Sequence, residues 1–364
     1  MPICSIFREK CGRKSRQKSQ KTPALEITAS INDNQRMEKL FPDKLKAGDE
    51  VRVVAPARSL GIISKESREI ADKRFEEMGL SLSFSKHAEE MDGALSSSIE
   101  SRVADLHEAF SDKEVKMIIA VIGGFNSNQL LPYLDYELIK ANPKILCGYS
   151  DITALNNAFY TKTGLVTYSG PHYSTFGQKK HFDYTLEHFK KCLFENGPFE
   201  VKAPEYWSND EWYKDQENRN LIKNDGYLVI NEGEANGTII GGNLCTLNLL
   251  QGTEFMPSLE DSILFLEDDE TTNRVTFDRD LESLTQLPDF KGVRGIVIGR
   301  FEKKAEVSRE DIIAIIKNKK SLDGMPVIAD TDTSHTEPRI TFPIGGTAEI
   351  TASGGKAEIK IKDH

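Results

Sequence analysis

The segment CGYSDIT, residues 147–153, leaves an apolar run, passes through Gly148 and Tyr149, and presents a lone hydroxyl, Ser150, at the mouth of a helix. Hydrolases place a nucleophile at such a strand-to-helix corner, where unpaired helical N–H groups favour developing negative charge. A helix N-cap serine satisfying those N–H groups would occupy the same position. Gly148 favours the first reading, because a tight elbow needs a residue without Cβ, although the second glycine of GxSxG is missing. IGGFNSN, residues 122–128, ends a neighbouring apolar run in Gly123 and Gly124, whose bare backbone can bring N–H groups near a substrate carbonyl. Together with the N–H of Asp151 this would make an oxyanion hole. The alternative is a plain turn, and the spacing is not the GxGxxG of a dinucleotide site.

A serine nucleophile needs a base, and the base needs an acid. Among the seven histidines, His335 sits in DTSHTEPRITFPIGG just past the apolar run Val327–Ala329, in a loop with Pro338, Pro343 and Gly345-Gly346. His172 follows SGP at another strand end and is the second candidate, whereas His87, His107, His181, His188 and His364 read as solvated surface residues. SILFLEDDE ends an apolar run in Glu267, Asp268, Asp269 and Glu270. Four successive acids describe a solvated turn or a cation site as readily as a catalytic acid. Glu267, the first polar residue beyond the run, is the one held most rigidly.

Around these residues the chain alternates apolar runs with amphipathic stretches. Val51–Ala55 reads as a strand stopped by Pro56, and Ser64 caps a helix with Ala71, Phe75 and Met78 on its buried face and Gly79 as its stop. Val103, Leu106 and Phe110 share a helical face, as do Ile152, Leu155 and Phe159 after Ser150; residues 117–124, KILCGYSD and residues 165–171 are further strands. Such alternation predicts a parallel sheet covered on both faces, binding ligands at the carboxyl ends of its strands. Residues 196–233 turn polar, acidic and aromatic, and read as a linker or substrate loop. Beyond them come further apolar runs, a helix capped by Ser308 through Lys317, and the hairpin TAEITASGGKAEIKI. The expected fold is α/β in two domains: a basic tail over 1–37, an N-terminal open parallel α/β sheet over 38–195, the linker over 196–233, and a C-terminal strand-rich α/β domain over 234–364.

Composition sets the outer bounds. The 364 residues carry a net charge of −10 and a pI near 5.4, which argues against a cationic surface for nucleic acid. No apolar run approaches the roughly 18 residues a membrane span needs. Five scattered cysteines without CxxC spacing suggest a reduced compartment and no structural zinc. The tail, with Arg8, Lys10, Arg13, Lys14, Arg16, Lys18 and Lys21 against Glu9 and Glu26, reads as a disordered extension of a cytoplasmic protein, with organelle targeting as the alternative.

Seven segments in order, LKAGDEVRVVAPARS, IGGFNSNQLLPYLDYELI, GYSDITALNNAFYTKTGLVTYSGP, WSNDEWYKDQENR, GTIIGGNLCTLNLLQGT, ILFLEDDE and HTEPRITFPIGG, resemble the LD-carboxypeptidase family of serine peptidases, in its microcin C self-immunity (MccF-like) branch. The resemblance runs from about residue 40 onward. It implies Ser150 as nucleophile, Glu267 as acid and His335 as base, with oxyanion donors at the N–H groups of Gly124 and Asp151, and raises Glu267 above its acidic neighbours. It further implies a homodimer of two-domain chains acting without metal or cofactor. Trp207 is the residue expected to stack on a nucleobase, with Trp212 second; Asn243 and Arg279 are expected in the substrate pocket. The expected reaction is amide cleavage in peptidyl or aminoacyl-nucleotide conjugates. The alternatives are removal of a terminal D-amino acid from murein tetrapeptides, non-catalytic sequestration of conjugates, and a glutamine amidotransferase, whose cysteine nucleophile is disfavoured because Cys147 falls inside a strand.

Overall fold

The structure, a computed structural model, describes residues 38–364, so the basic tail over 1–37 lies outside the described residues. In chain order the elements are β1 (Glu50–Val54), α1 (Lys65–Glu77), β2 (Ser81–Phe84), α2 (Ile99–Ser111), β3 (Val115–Ala120), α3 (Tyr136–Ala141), β4 (Ile145–Cys147), α4 (Thr153–Thr163), β5 (Thr167–Ser169) and α5 (Asp183–Leu193). There follow β6 (Phe199–Val201), β7 (Tyr206–Trp207), β8 (Ile222–Lys223), β9 (Leu228–Asn231), β10 (Gly233–Asn243), α6 (Leu244–Asn248), β11 (Ser262–Glu267) and α7 (Arg274–Thr285). The last are β12 (Gly295–Gly299), α8 (Arg309–Lys317), β13 (Val327–Thr331), β14 (Phe342–Ile344), β15 (Thr347–Ser353) and β16 (Lys356–Asp363).

The front sheet runs β14-β5-β4-β3-β1-β2, with every pairing parallel except β14 on β5. Apart from the edge strand β2, its strands are buried on both faces and sort their side chains with period two: Val51, Val53, Met117 and Ile119 face one core, Val54, Ile118 and Ala120 the other. The chain reverses direction of travel between β1 and β3, and the crevice outside the carboxyl ends of those two strands is where open parallel sheets bind ligands. Ser64 accepts from the N–H of Ser67 at the start of α1, and Ser308 caps α8 reciprocally with Asp311, as the sequence predicts.

The back sheet runs β6-β16-β15-β10-β11-β12-β13-β9 and is parallel through β10 to β13 with antiparallel strands outside. Two features depart from the sequence reading. The segment expected as a loop, 196–233, contributes β6 and β9 to the edges of this sheet and pairs β7 with β8. In addition β14, from the back half of the chain, returns to the front sheet as an edge strand on β5.

The two sheets meet through bare backbone. Near the end of β10, Gly241 and Gly242 have φ of +135° and +112°. A Cβ on Gly242 would fall 2.4 Å from the Thr153 hydroxyl. That hydroxyl accepts from the N–H of Asn243 at 2.9 Å, and the Asn157 side chain donates to the Gly241 carbonyl at 2.8 Å. The helix behind Ser150 is thereby fixed against the strand that pairs Asn243 with Glu267.

Gly242→Ala adds both a clash and a disfavoured φ, and should lower unfolding free energy by about 1–3 kcal/mol. Gly93→Ala, with nothing within 4 Å of its Cβ, should stay within about 0.5 kcal/mol of the parent. Urea unfolding of both proteins checks this, and equal midpoints would remove the glycine contact from its structural role.

Candidate active site

A cleft of about 300 Å³ opens at the carboxyl ends of the parallel strands of both sheets. Ser150, Gly123, Gly124, His172 and His335 all line it. Ser150 begins a single 3₁₀ turn, Ser150–Ile152, that leads into α4, and its φ is +59°. Non-glycine residues rarely adopt that conformation, and strain of this kind concentrates at functional sites. Its side chain does not cap the helix. The strain thus sits on the serine itself, while Gly148 is needed for packing: a Cβ there would meet Ile152 at 3.0 Å and Ala120 at 3.1 Å.

Gly123 must be bare because a Cβ would stand 2.9 Å from both Cβ and Oγ of Ser150. The Asp151 carboxylate holds this turn in place, accepting from the N–H groups of Asn126 at 3.0 Å and Ser127 at 2.9 Å. Burial pushes its carboxyl up, against the pull of those same hydrogen bonds. The N–H of Gly124 donates to no acceptor among the described residues.

Glu267 ends β11, buried, and its Oε2 lies 2.6 Å from Nδ1 of His335. His335 stands in the loop after β13, its ring 5.0 Å from that of Tyr149, the residue before Ser150. Burial alone would lower the His335 pKa, but the Glu267 charge and hydrogen bond outweigh it and the net direction is upward. His172 has no such partner. Its Nε2 faces both the N–H (3.2 Å) and the carbonyl (2.9 Å) of Tyr149, and its ring stacks on Tyr149 at 4.1 Å. Burial, with Arg339 adding to it, holds His172 neutral, well below its ordinary pKa.

The other residues singled out in the sequence are placed less centrally. Trp207 does not line the cleft: it sits in β7 with the Arg300 guanidinium 4.8 Å over its ring, beside a separate cavity of about 440 Å³. Trp212 does line the cleft, packed edge-on to Tyr213 at 6.0 Å. Asn243 is a buried cap of α6, accepting from the N–H of Thr246 and donating to Asp268. Arg279 lies on the solvent face of α7, away from the buried Phe277, Leu281 and Leu284, with its nearest acid the neighbouring Asp280. His188 and His364 are buried, not solvated: Nδ1 of each meets a backbone carbonyl, that of Tyr184 and of Cys192 respectively. Cys147 is fully buried inside β4, its thiol pushed well up by burial.

Sequence reasoning passes over several residues that line the cleft, among them Arg58, Phe125, Glu302, Lys304 and Arg339. The usable signal for most of them is position, since Arg58, Phe125 and Glu302 each follow within a few residues of a parallel strand's end. Among the described residues no three His, Cys, Asp or Glu side chains gather in an arrangement that could hold a metal ion.

The LD-carboxypeptidase N-terminal domain matches residues 51–170, and the LD-carboxypeptidase C-terminal domain matches residues 236–350. The chain belongs to the LD-carboxypeptidase family. YocD of Bacillus subtilis (strain 168), which carries a provisional carboxypeptidase name, is 55% identical over 325 residues, 89% of this chain and 100% of that one. The Escherichia coli microcin C7 self-immunity protein MccF is 37% identical over 262 residues, 69% of this chain and 75% of its own length. The crystal structure of an MccF-like protein from Bacillus anthracis str. Ames superposes with a TM-score of 0.88 at 58% identity, covering 89% of this chain and 100% of that one. MccF itself has been solved with glutamyl sulfamoyl guanosine (TM-score 0.81, 31% identity, covering 89% of this chain and 98% of that one) and with aspartyl sulfamoyl adenosine. In this LD-carboxypeptidase-type hydrolase the N-terminal match covers β1 to β5 of the front sheet, and the C-terminal match covers the centre of the back sheet together with β14, which joins the front sheet.

One neighbour of the His335–Glu267 pair makes the site sensitive to pH. Asp268 accepts from Asn243 and from the N–H of Asp269, both at 3.2 Å, while its second oxygen is buried without a partner among the described residues. Burial first, then the charges of Glu267 and Asp269, push its carboxyl from 3.8 up to about 7. Between those values the native state holds a proton that the unfolded chain has released, so stability falls as pH rises through the window. Asp268→Asn removes this loss. Its stability relative to the parent should increase between pH 5 and pH 8, to about 1–3 kcal/mol at the upper end. Urea titrations at the two pH values test this, and a pH-independent difference would rule it out.

Proposed function

We propose that the chain is a serine hydrolase cleaving the bond between an aminoacyl or peptidyl carboxyl and a nucleotide moiety, with Ser150 as nucleophile, His335 as base and Glu267 as the acid that fixes the base. The observation that carries this reading is the 2.6 Å pair between Nδ1 of His335 and Glu267, in the cleft that Ser150 enters from a left-handed backbone. A carboxylate on Nδ1 leaves Nε2 as the nitrogen that accepts a proton. Nε2 takes the Ser150 proton as Oγ bonds to the carbonyl carbon, and the N–H groups of Gly124 and Asp151 receive the oxyanion. Collapse breaks the bond to the leaving nitrogen, which takes the proton back from Nε2. Water, deprotonated by the same imidazole, then releases the acyl group from Oγ.

The nucleotide half of the substrate rests on likeness and on the cleft wall together. The MccF ligands join an amino acid to a nucleoside through a sulfamoyl group. Trp212 and Tyr213 supply aromatic surface to this cleft, and stacking of that kind accepts any base. A murein tetrapeptide would be cut by the same chemistry, with D-alanine as the leaving amine.

A serine-directed fluorophosphonate should modify the peptide containing Ser150, read by mass spectrometry, and Ser150→Ala should abolish both labelling and hydrolysis of aspartyl sulfamoyl adenosine. Release of nucleoside sulfamate rather than of D-alanine from a tetrapeptide separates the two substrates. The base must be neutral to act, so the rate should fall as pH drops through a value above the ordinary 6.5 of histidine. Glu267→Gln removes the main interactions that raise this value and leaves burial and Arg339, which lower it, against the smaller upward pull of Glu302. The acid limb should therefore move to lower pH while kcat drops about 10³–10⁴-fold. An acid limb that stays in place would exclude His335 as the base.

Trp212→Ala should raise KM for the nucleotide conjugate about 10-fold, with Trp207→Ala changing it far less. Steady-state kinetics on the two variants decides which tryptophan meets the base, and the reverse order would return the role to Trp207.

A further inference from the structure

The cleft is lined by six carboxylates, Asp210, Glu211, Asp269, Glu270, Glu302 and Glu337, and by three permanently cationic side chains. Two of the three cations are already engaged. Lys304 pairs with Glu270 at 2.6 Å and Glu211 at 3.5 Å, and Arg339 pairs with Glu337 at 2.8 Å and donates to the His335 carbonyl at 3.2 Å. Arg58 pairs with no carboxylate and donates to no carbonyl among the described residues. Its guanidinium lies 5.0 Å from the centre of the Phe125 ring, itself 68% exposed. A ring face positions a guanidinium without occupying its N–H donors, so the fork remains free for a planar or tetrahedral anion.

Arg58 also stands close to the proposed oxyanion turn. It follows β1 at the crevice where the order of the front sheet reverses, and a Cβ on Gly124 would lie 3.3 Å from its Cγ. The side chain therefore runs beside the turn assigned above to the oxyanion. In an aminoacyl nucleotide the leaving nitrogen is bonded directly to a sulfamoyl or phosphoryl group. In a peptide's last residue it is bonded to the carbon bearing the terminal carboxylate. Both substrates place anionic oxygens within three bonds of the leaving nitrogen.

We propose that Arg58, held on Phe125, is the specificity-determining residue that binds the anionic group next to the leaving nitrogen. This deepens the reading of Ser150 as nucleophile and rests on it for the direction of the substrate. Six carboxylates around the same cleft make a second anion site costly, so the substrate's anion is directed to this one position. Arginine supplies several donors to such an anion where lysine supplies a point charge, and the two should differ there.

Binding separates this proposal from the catalytic one. In the Ser150→Ala background, calorimetry would compare aspartyl sulfamoyl adenosine with the neutral amide of aspartate and 5′-amino-5′-deoxyadenosine, and diacetyl-L-lysyl-D-alanine with its C-terminal amide. Adding Arg58→Gln should weaken the anionic member of one pair about 10- to 100-fold and its neutral partner less than about 3-fold, with Arg58→Lys recovering part of the loss. The pair that responds identifies the source of the anion, sulfamoyl or carboxylate. Equal loss for charged and neutral partners, or no loss in either pair, overturns the role of Arg58. Failure of the Ser150 reading would appear separately, as hydrolysis surviving Ser150→Ala or as no labelling of Ser150.

Discussion

The hydrogen bonds between β10 and α4 decide where every reactive group stands. Ser150 belongs to the front sheet, Glu267 and His335 to the back, and nothing local relates them. Gly241 and Gly242 let the backbone of β10 come against Thr153 and Asn157, at a distance where any side chain would collide. Because Asn243 is paired in register with Glu267, a contact made with the start of α4 also sets the carboxylate that holds His335. A positive φ at two successive glycines is a conformational cost accepted for that approach. It explains why Gly241-Gly242 stand near the end of β10, just before Asn243.

Electrostatics then divides the buried groups by role. Glu267 accepts from His335 on one oxygen, and Asp268, the next residue along, is driven toward its neutral form by burial and by Glu267. Two adjacent carboxylates in one buried corner cannot both stay charged at low cost. Asp268, aimed at Asn243, gives up its charge near neutrality. Around Ser150 a second set of buried groups packs together. Tyr149 lies under the Arg339 guanidinium at 3.8 Å and against His172 at 4.1 Å, which packs the residue preceding Ser150 too tightly to relax the strained turn that follows.

The parallel strands are legible in the sequence as apolar runs, and the three side chains proposed for chemistry stand out because each lies at or a few residues beyond the end of such a run, a position that can be counted. Other placements depend on pairings the sequence does not announce. Trp207 and Trp212 are equivalent to the eye, and only the pairing of β7 with β8, across the fourteen residues between them, carries the first away from the cleft. β14 is too short to be assigned to a sheet, and its partner β5 lies in the opposite half of the chain. The burial of His188 is a different case. Thr185, His188, Phe189 and Cys192 follow the helical spacing of a buried face, a pattern visible in the sequence and outweighed there by the charged residues around it.

Position and identity separate further at the cleft wall. β1, β3, β4 and β5 of the front sheet, and β11, β12 and β13 of the back, each deliver a loop to the cleft, whereas β2 lies beyond the reversal point and the end of β10 is taken up by its contact with α4. The groups assigned to chemistry sit on the first residues of those loops, where the strand fixes them. The aromatic and charged residues that would meet the rest of a substrate, Trp212, Tyr213, Glu211 and Lys304, sit farther out and hold one another through ion pairs and a tyrosine hydroxyl. Exposed pairs of that kind contribute little to folding. Substitutions there leave the strands that position Ser150, Glu267 and His335 unchanged.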